Sequence, residues 1–204
     1  IVTPGLVAPD TDITITEVGG VPETNDSYTN NLRISAAYDI QYAVNQDSPL
    51  LATARATGVT RAIVTPGNGS GFGRKSDSRQ LVFQGQGAVV QLGVSGDPIT
   101  RTHAVMVLEL GESGAANAGG GRPATIIVLK ASLAAAREFA RNRAGYDRGA
   151  SRPYDLSPED LEALLPVAQG KMPLLVHVHR AADISMILKV AREEGLKLIL
   201  EGAE

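Results

Sequence analysis

The sequence contains no cysteine, and this absence excludes disulfide bonds, thiolate metal ligands and cysteine nucleophiles. Histidine is scarce as well, with three residues in a chain of 204. The net charge of −3 shows no excess of basic residues, so we predict that the chain binds neither nucleic acid nor a membrane surface. No apolar run approaches the ~18 residues that a membrane-spanning helix needs.

Length and composition are typical of an ordinary globular protein, because 43% of the residues are hydrophobic and 20% are charged. We predict a single domain over residues 1–204, with a long polar excursion at 13–46. The chain begins without Met and ends just after the apolar run Leu196–Leu200. We therefore interpret it as a segment of a longer protein, whose location stays open between cytoplasm and periplasm.

Pro173–Arg180 is the segment around which the rest of the chain is organised, and its sequence PLLVHVHR predicts a buried strand. Because strand side chains alternate between faces, His177 and His179 lie on the same face. Buried imidazoles need polar partners. Two interpretations remain open: a functional site at the end of this strand, or two hydrogen-bonded structural histidines.

Helix and strand patterns alternate in three units, at 49–65, 158–179 and 184–201. Ser48 and Ser157 each precede a proline, which predicts helix N-caps at both positions. Alternation of this kind is typical of a parallel sheet covered by helices. The local pattern does not distinguish an open doubly wound sheet from an unfinished barrel.

Parallel α/β sheets carry their chemistry where the strands end. The side chains at these ends that can bind a metal ion or transfer a proton are Asp10, Asp12, His177, His179 and Glu201. Their convergence predicts an active site. The alternative for the two aspartates is a solvated turn with local hydrogen bonds.

A glycine-rich loop at Pro66–Ser76 follows the first of these units. It lacks the Gly-Lys-Ser/Thr ending of a phosphate-binding loop, so we interpret it as a flexible active-site or surface loop. An open α/β domain that binds a small anion at this loop is a further alternative.

The segment Thr3–Val7, TPGLV, resembles the PGLID segment that opens the barrel of the amidohydrolase superfamily. The similarity is closest to imidazolonepropionase-like amidohydrolases, and Val176–Ile184 and Leu200–Glu204 also resemble that group. The resemblance implies the α/β class and a (β/α)8 TIM barrel of the amidohydrolase type, incomplete in this chain. It also implies metal-dependent hydrolysis of an amide or other C–N bond by metal-activated water.

The sequence departs from this pattern at the implied metal ligands. Where the family has a His-x-His pair, this chain has Asp10 and Asp12, and Gly202 stands where relatives have a histidine. The resemblance implies a divalent ion held by the two aspartates and His177, with His179 and Glu201 as further ligands. A carboxylate-rich set favours harder ions over zinc, although zinc remains an alternative.

Loss of the usual ligands supports a second hypothesis, in which a catalytically silent barrel serves as a binding or structural subunit. The catalytic residues themselves are not identified by the sequence. As partners we expect a small-molecule substrate and other copies of the chain, because a partial barrel leaves strand edges that favour a homo-oligomer.

Overall fold

The computed structural model describes residues 4–18, 20–31, 33–67, 82–93, 96–150 and 152–203. Within these ranges six strands form one sheet that curls into a half-barrel, accompanied by six helices. The strands are β1 Leu6–Thr11, β2 Val59–Val64, β3 Phe83–Gln91, β4 Ile99–Glu109, β5 Leu174–His177 and β6 Leu198–Glu201. The helices are α1 Leu50–Ala56, α2 Gly111–Asn117, α3 Arg122–Arg141, α4 Arg143–Asp147, α5 Pro158–Ala168 and α6 Ala181–Glu194.

The strands follow one another across the sheet in sequence order, but they do not all run in one direction. β1 pairs with β2, and β4 with β5 and β5 with β6, in parallel, whereas β3 is antiparallel to both of its neighbours. The prediction of an incomplete (β/α)8 TIM barrel of parallel units is therefore wrong. The connection at 92–98 is too short for the crossover that parallel strands require, so β3 and β4 form an antiparallel pair.

The three predicted helix–strand units are present as α1–β2, α5–β5 and α6–β6. Their strands run in the same direction, since the single antiparallel strand β3 separates β2 from β4. β5 is buried, but β6 is half-buried because it lies at an edge of the described sheet. Local helix–strand alternation thus predicted these three units correctly, whereas the entirely parallel sheet inferred from them is wrong.

The helix starts differ from the prediction at one of the two serines. Ser157 is the N-cap of α5, and its hydroxyl accepts a hydrogen bond from the backbone N–H of Asp160 at 3.1 Å. Helix α1 begins at Leu50, with Pro49 rather than Ser48 at the N-cap. The Ser48 hydroxyl lies 3.4 Å from the Leu50 nitrogen, a long contact. Because Pro49 has helical φ and ψ and the Ser48 carbonyl accepts the Leu51 N–H, the predicted boundary agrees with the structure to within one residue.

The excursion at 13–46 is packed against the rest of the molecule. Ile15 and Ile40 are buried in a core that also contains residues of β2 and β3. Asp160 of α5 accepts hydrogen bonds from the backbone N–H groups of Ser35 at 2.9 Å and Ala37 at 2.8 Å. The excursion includes two 3-10 turns, Pro22–Thr24 and Ile40–Tyr42. From position 68 onward, the predicted glycine-rich loop lies outside the described residues.

The sheet has a helix-covered face and an opposite face. The buried residues of β4 and β5 that share the main core with the leucines of α3 and α5 are Met106, Leu108, Leu174 and Val176. The alternate residues Val105, Val107 and Leu175 form a separate apolar cluster on the other face. Glu109 follows Val107 by two residues and His177 follows Leu175 by two, so both side chains lie on this second face. Across the described residues, no helix is both long and apolar enough to cross a membrane.

Candidate metal centre

Strand register brings three polar side chains into one row. In the β4–β5–β6 register, Val107 lies beside Leu175 and Leu175 beside Ile199. Two positions further along the three strands, at their C-terminal ends, the neighbours are Glu109, His177 and Glu201. Because side chains alternate, this polar row lies on the same face as the apolar row beneath it.

His177 lies at the centre of the site and contacts three carboxylates. Its Nδ1 is 2.7 Å from Oε1 of Glu109, and its Nε2 is 3.2 Å from Oδ2 of Asp10 and 3.2 Å from Oε2 of Glu201. Asp10 also accepts a hydrogen bond from the hydroxyl of Thr65. Since β1 and β5 are not neighbours in the sheet, the curl of the sheet is what brings Asp10 to the imidazole.

The carboxylates around His177 favour the imidazolium form when no metal is bound. Burial alone lowers the pKa of His177, but the hydrogen bonds and charges of Asp10 and Glu109 outweigh it and raise the pKa to about 10. Burial raises the pKa of Asp10, whereas its interactions with neighbours, led by the hydrogen bonds with His177 and Thr65 and including the charge of His177, together lower that pKa by a larger amount. The net pKa of Asp10 is therefore below its ordinary value.

Asp10, His177 and Glu201 fit the donor set of a divalent cation. One ligand atom from each lies within 4.8 Å of the others. Asp10 and His177 are half-buried, whereas the Glu201 side chain is 46% exposed. Glu109, with a side chain 4% exposed, accepts a hydrogen bond from Nδ1–H of His177. Such a carboxylate fixes the tautomer of a metal-binding histidine and directs Nε2 at the ion. Two carboxylates and one imidazole favour a harder ion than an all-histidine site does.

Two of the residues predicted from the sequence lie outside this group. β1 ends at Thr11, so strand parity does not extend to Asp12, which is exposed. β5 ends at His177, and the ring of His179 instead donates its Nδ1–H to the backbone carbonyl of Gly202 at 2.8 Å. The structure therefore brings together Asp10, His177 and Glu201, and it leaves Asp12 and His179 outside this group, although His179 lines the adjoining cleft.

Sequence reasoning did not identify Glu109. The residue ends the apolar strand β4, at the same parity as Val105 and Val107. A carboxylate at the C-terminal end of a buried strand was the available signal. Its importance depends on the register with β5, which places it directly beside His177.

The polar row forms one end of an open cleft of about 700 Å³. Its walls come from the residues that follow β4, from the start of α3 and from the residues that follow β5. Glu109, His177, His179 and Glu201 all line this cleft. A volume of this order holds a small molecule.

No protein-family model matches the chain, and no curated protein matches its sequence at a significant level. Among solved structures, the fold is similar to that of an amidohydrolase from Thermotoga maritima MSB8, with a TM-score of 0.77 and 21% sequence identity. The match covers 98% of this chain and 51% of that chain, so this chain spans about half the length of that protein. The likeness establishes an amidohydrolase-like fold.

Proposed function

We propose that the chain forms part of a metal-dependent hydrolase that cleaves an amide or another C–N bond. The observation that carries the proposal is the convergence of Asp10, His177 and Glu201, with Glu109 behind the imidazole. The amidohydrolase-like fold supports the same reaction class by analogy. The resemblance of Thr3–Val7 and Val176–Ile184 to imidazolonepropionase-like members supports a small cyclic or acyclic amide as substrate.

The residues of the chain have separate tasks in this proposal. Asp10, Glu201 and Nε2 of His177 hold the ion, while Glu109 keeps a proton on Nδ1 and so leaves the Nε2 lone pair for the ion. A divalent ion bound there supplies a Lewis acid that polarises a carbonyl and lowers the pKa of its water. The buried residues Val107 and Leu175 beneath the polar row exclude water from that side of the site.

A small-molecule substrate matches the size of the cleft. Self-association is the second partner prediction. In the described sheet, β1 and β6 are the edge strands, and exposed edges favour pairing with another chain. We therefore expect a homo-oligomer.

A catalytically silent subunit is the second candidate function. Asp12 is exposed and Gly202 carries no side chain, so the candidate site offers fewer ligands than the family pattern implies. In that case the amidohydrolase-like fold serves binding or assembly. Metal content distinguishes the two candidates.

The experiment measures metal in the full purified protein, and Mn²⁺ and Zn²⁺ affinity after chelation. We expect about one ion per chain, and at least about tenfold weaker binding in Asp10→Asn and Glu201→Gln, since each removes a charged ligand. Asp12→Asn is the matched control and should bind as the wild type does. Absence of metal from the wild type, and no binding of added ions, would contradict the hydrolase proposal. Equal losses in Asp10→Asn and Asp12→Asn would contradict the ligand set.

A further inference from the structure

Two arginines on the wall of the cleft converge on one buried carboxylate. Nε of Arg122 lies 3.1 Å from Oδ2 of Asp183, and Nε of Arg180 lies 3.8 Å from Oδ1 of the same residue. The Asp183 side chain is 5% exposed, so it is fixed in the fold beneath the two guanidinium groups. All three residues line the cleft that ends at His177 and Glu201.

Arg122 and Arg180 share one buried carboxylate, so this part of the cleft presents guanidinium N–H donors that Asp183 does not occupy. Arg122 also contacts Glu112, but at 3.5 Å and with a Glu112 side chain that is 93% exposed, so solvent screens that pair. Both arginines meet Asp183 through Nε. Each guanidinium has four further N–H donors on its terminal nitrogens, in a fixed planar arrangement that suits a carboxylate.

Asp183 thereby acts as a positioning residue for the arginines. A guanidinium on a free side chain loses rotamer entropy when it binds a ligand. The 3.1 Å hydrogen bond to the buried Asp183 restricts Arg122 before any ligand arrives, whereas Arg180 lies 3.8 Å from the same carboxylate with a side chain 57% exposed and is restricted less. The arrangement is that of a preorganised anion-recognition wall in the same cleft as the candidate metal centre.

We propose that the substrate carries a carboxylate, which Arg122 and Arg180 bind while the scissile C–N bond lies at the metal centre. This inference rests on the proposed hydrolase function and names its substrate class. The cleft also contains Glu109 and Glu201, whose charges repel a dianion more strongly than a monoanion. A carboxylate monoanion therefore fits the wall better than a phosphate.

The test compares binding of N-acetylglycine with that of its neutral analogue N-acetylglycinamide, by NMR titration of the full chain. We expect the wild type to bind the carboxylate at least about tenfold more tightly, since charge-assisted hydrogen bonds contribute at this level. Arg180→Gln should remove most of this preference. Arg192→Gln, an exposed arginine of α6 that does not line the cleft, is the matched control and should keep it.

Arg122→Gln removes a partner of the buried Asp183 and can therefore prevent folding. Arg180→Gln is the deciding variant, because the side chain of Arg180 is 57% exposed. Equal binding of the two probes by the wild type would overturn the inference. So would a full preference in Arg180→Gln, or tighter binding of inorganic phosphate than of N-acetylglycine. Metal analysis of the same samples keeps the two proposals apart. If the protein prefers the carboxylate but binds no metal, the arginine site stands and the hydrolase proposal is contradicted. If the protein binds metal but shows no preference for the carboxylate, only the arginine site is contradicted.

Discussion

The imidazole of His179 occupies the space that a side chain at position 202 would need. A Cβ atom on Gly202 would overlap Cε1 and Nδ1 of the His179 ring. The same ring donates a hydrogen bond to the Gly202 carbonyl at 2.8 Å. The family resemblance implies a histidine at position 202, whereas here an imidazole from the end of the neighbouring strand fills that space. Glycine at 202 is therefore a condition for the position of His179 on the cleft.

Gly202→Ala should destabilise the protein more than Gly195→Ala does. Both glycines have a positive φ, +73° and +71°, so both substitutions introduce the same backbone strain of about 1–2 kcal/mol. A Cβ at Gly195 meets nothing within 4 Å, but a Cβ at Gly202 displaces the exposed His179 ring and breaks its hydrogen bond to the Gly202 carbonyl, which adds about 0.5–1.5 kcal/mol. Denaturant midpoints measure the difference. In the double variant, His179→Ala should remove the additional destabilisation that Gly202→Ala causes relative to Gly195→Ala. Additive effects of Gly202→Ala and His179→Ala would contradict a steric conflict between the two residues.

Glu109→Gln should weaken metal binding about 10–100-fold, because the carboxylate orients the imidazole without contacting the ion itself. Glu112→Gln is the matched control: Glu112 lines the same cleft, but its side chain is 93% exposed and contacts Arg122 instead. Competition with a chelator gives both affinities. Comparable losses in the two variants would indicate a general charge effect in the cleft, contrary to this prediction.

Protonation of His177 should stabilise the metal-free protein over a defined pH range. The pKa is 6.5 in the unfolded chain and about 10 in the fold. Because the folded pKa is the higher one, the stabilisation is fully present below pH 6.5 and is lost as the pH rises through about 10. Unfolding midpoints of the wild type and of His177→Gln, both measured with a chelator present, should differ most below pH 6.5 and should approach each other as the pH rises to about 10. A constant difference between the two proteins would contradict the prediction.

Strand parity contributed to the prediction of the site only together with the family resemblance, because parity does not say which strand ends meet. It applies to Asp10 and His177, since both lie within strands that the structure contains. It fails at Asp12 and His179, because each follows the last residue of its strand, where the backbone no longer alternates. Glu109 was not identified because its role depends on pairing between strands distant in sequence.

Some features of the fold follow from the local sequence, and others depend on contacts between residues that are distant in the sequence. Helix–strand alternation is local and predicted the units that contain β2, β5 and β6. The glycine-rich pattern of β3, in contrast, depends on contacts with distant residues. A Cβ on Gly87 would lie 2.8 Å from the Val64 carbonyl, and one on Gly85, where φ is +129°, would collide with Tyr38 of the excursion. These close approaches require glycine and obscure the alternation by which strands are recognised.

Ser157→Ala should destabilise the protein by ~1 kcal/mol, the usual effect of losing an N-cap hydroxyl. The hydroxyl accepts the Asp160 N–H at 3.1 Å, and the substitution leaves this donor without its partner. Ser185→Ala, at an exposed position inside α6, is the control and should leave stability unchanged or slightly higher, because alanine favours helix interiors. An unchanged midpoint for Ser157→Ala would show that the cap does not contribute to stability.

Asp160→Ala should be more damaging than Asp160→Asn. One carboxylate oxygen, Oδ1, accepts both the Ser35 and the Ala37 backbone N–H, at 2.9 and 2.8 Å. Asparagine retains a carbonyl oxygen that can accept both bonds, whereas alanine leaves two N–H donors without their acceptor, at a cost of about 1–3 kcal/mol each.

Denaturant midpoints compare the stabilities of the two Asp160 variants, and hydrogen exchange at Ser35 and Ala37 reports the local effect. Because these bonds hold the excursion against α5, exchange should accelerate there in Asp160→Ala and remain slow in Asp160→Asn. Equal midpoints and equal exchange in the two variants would show that the excursion is held by its apolar residues Ile15 and Ile40 instead.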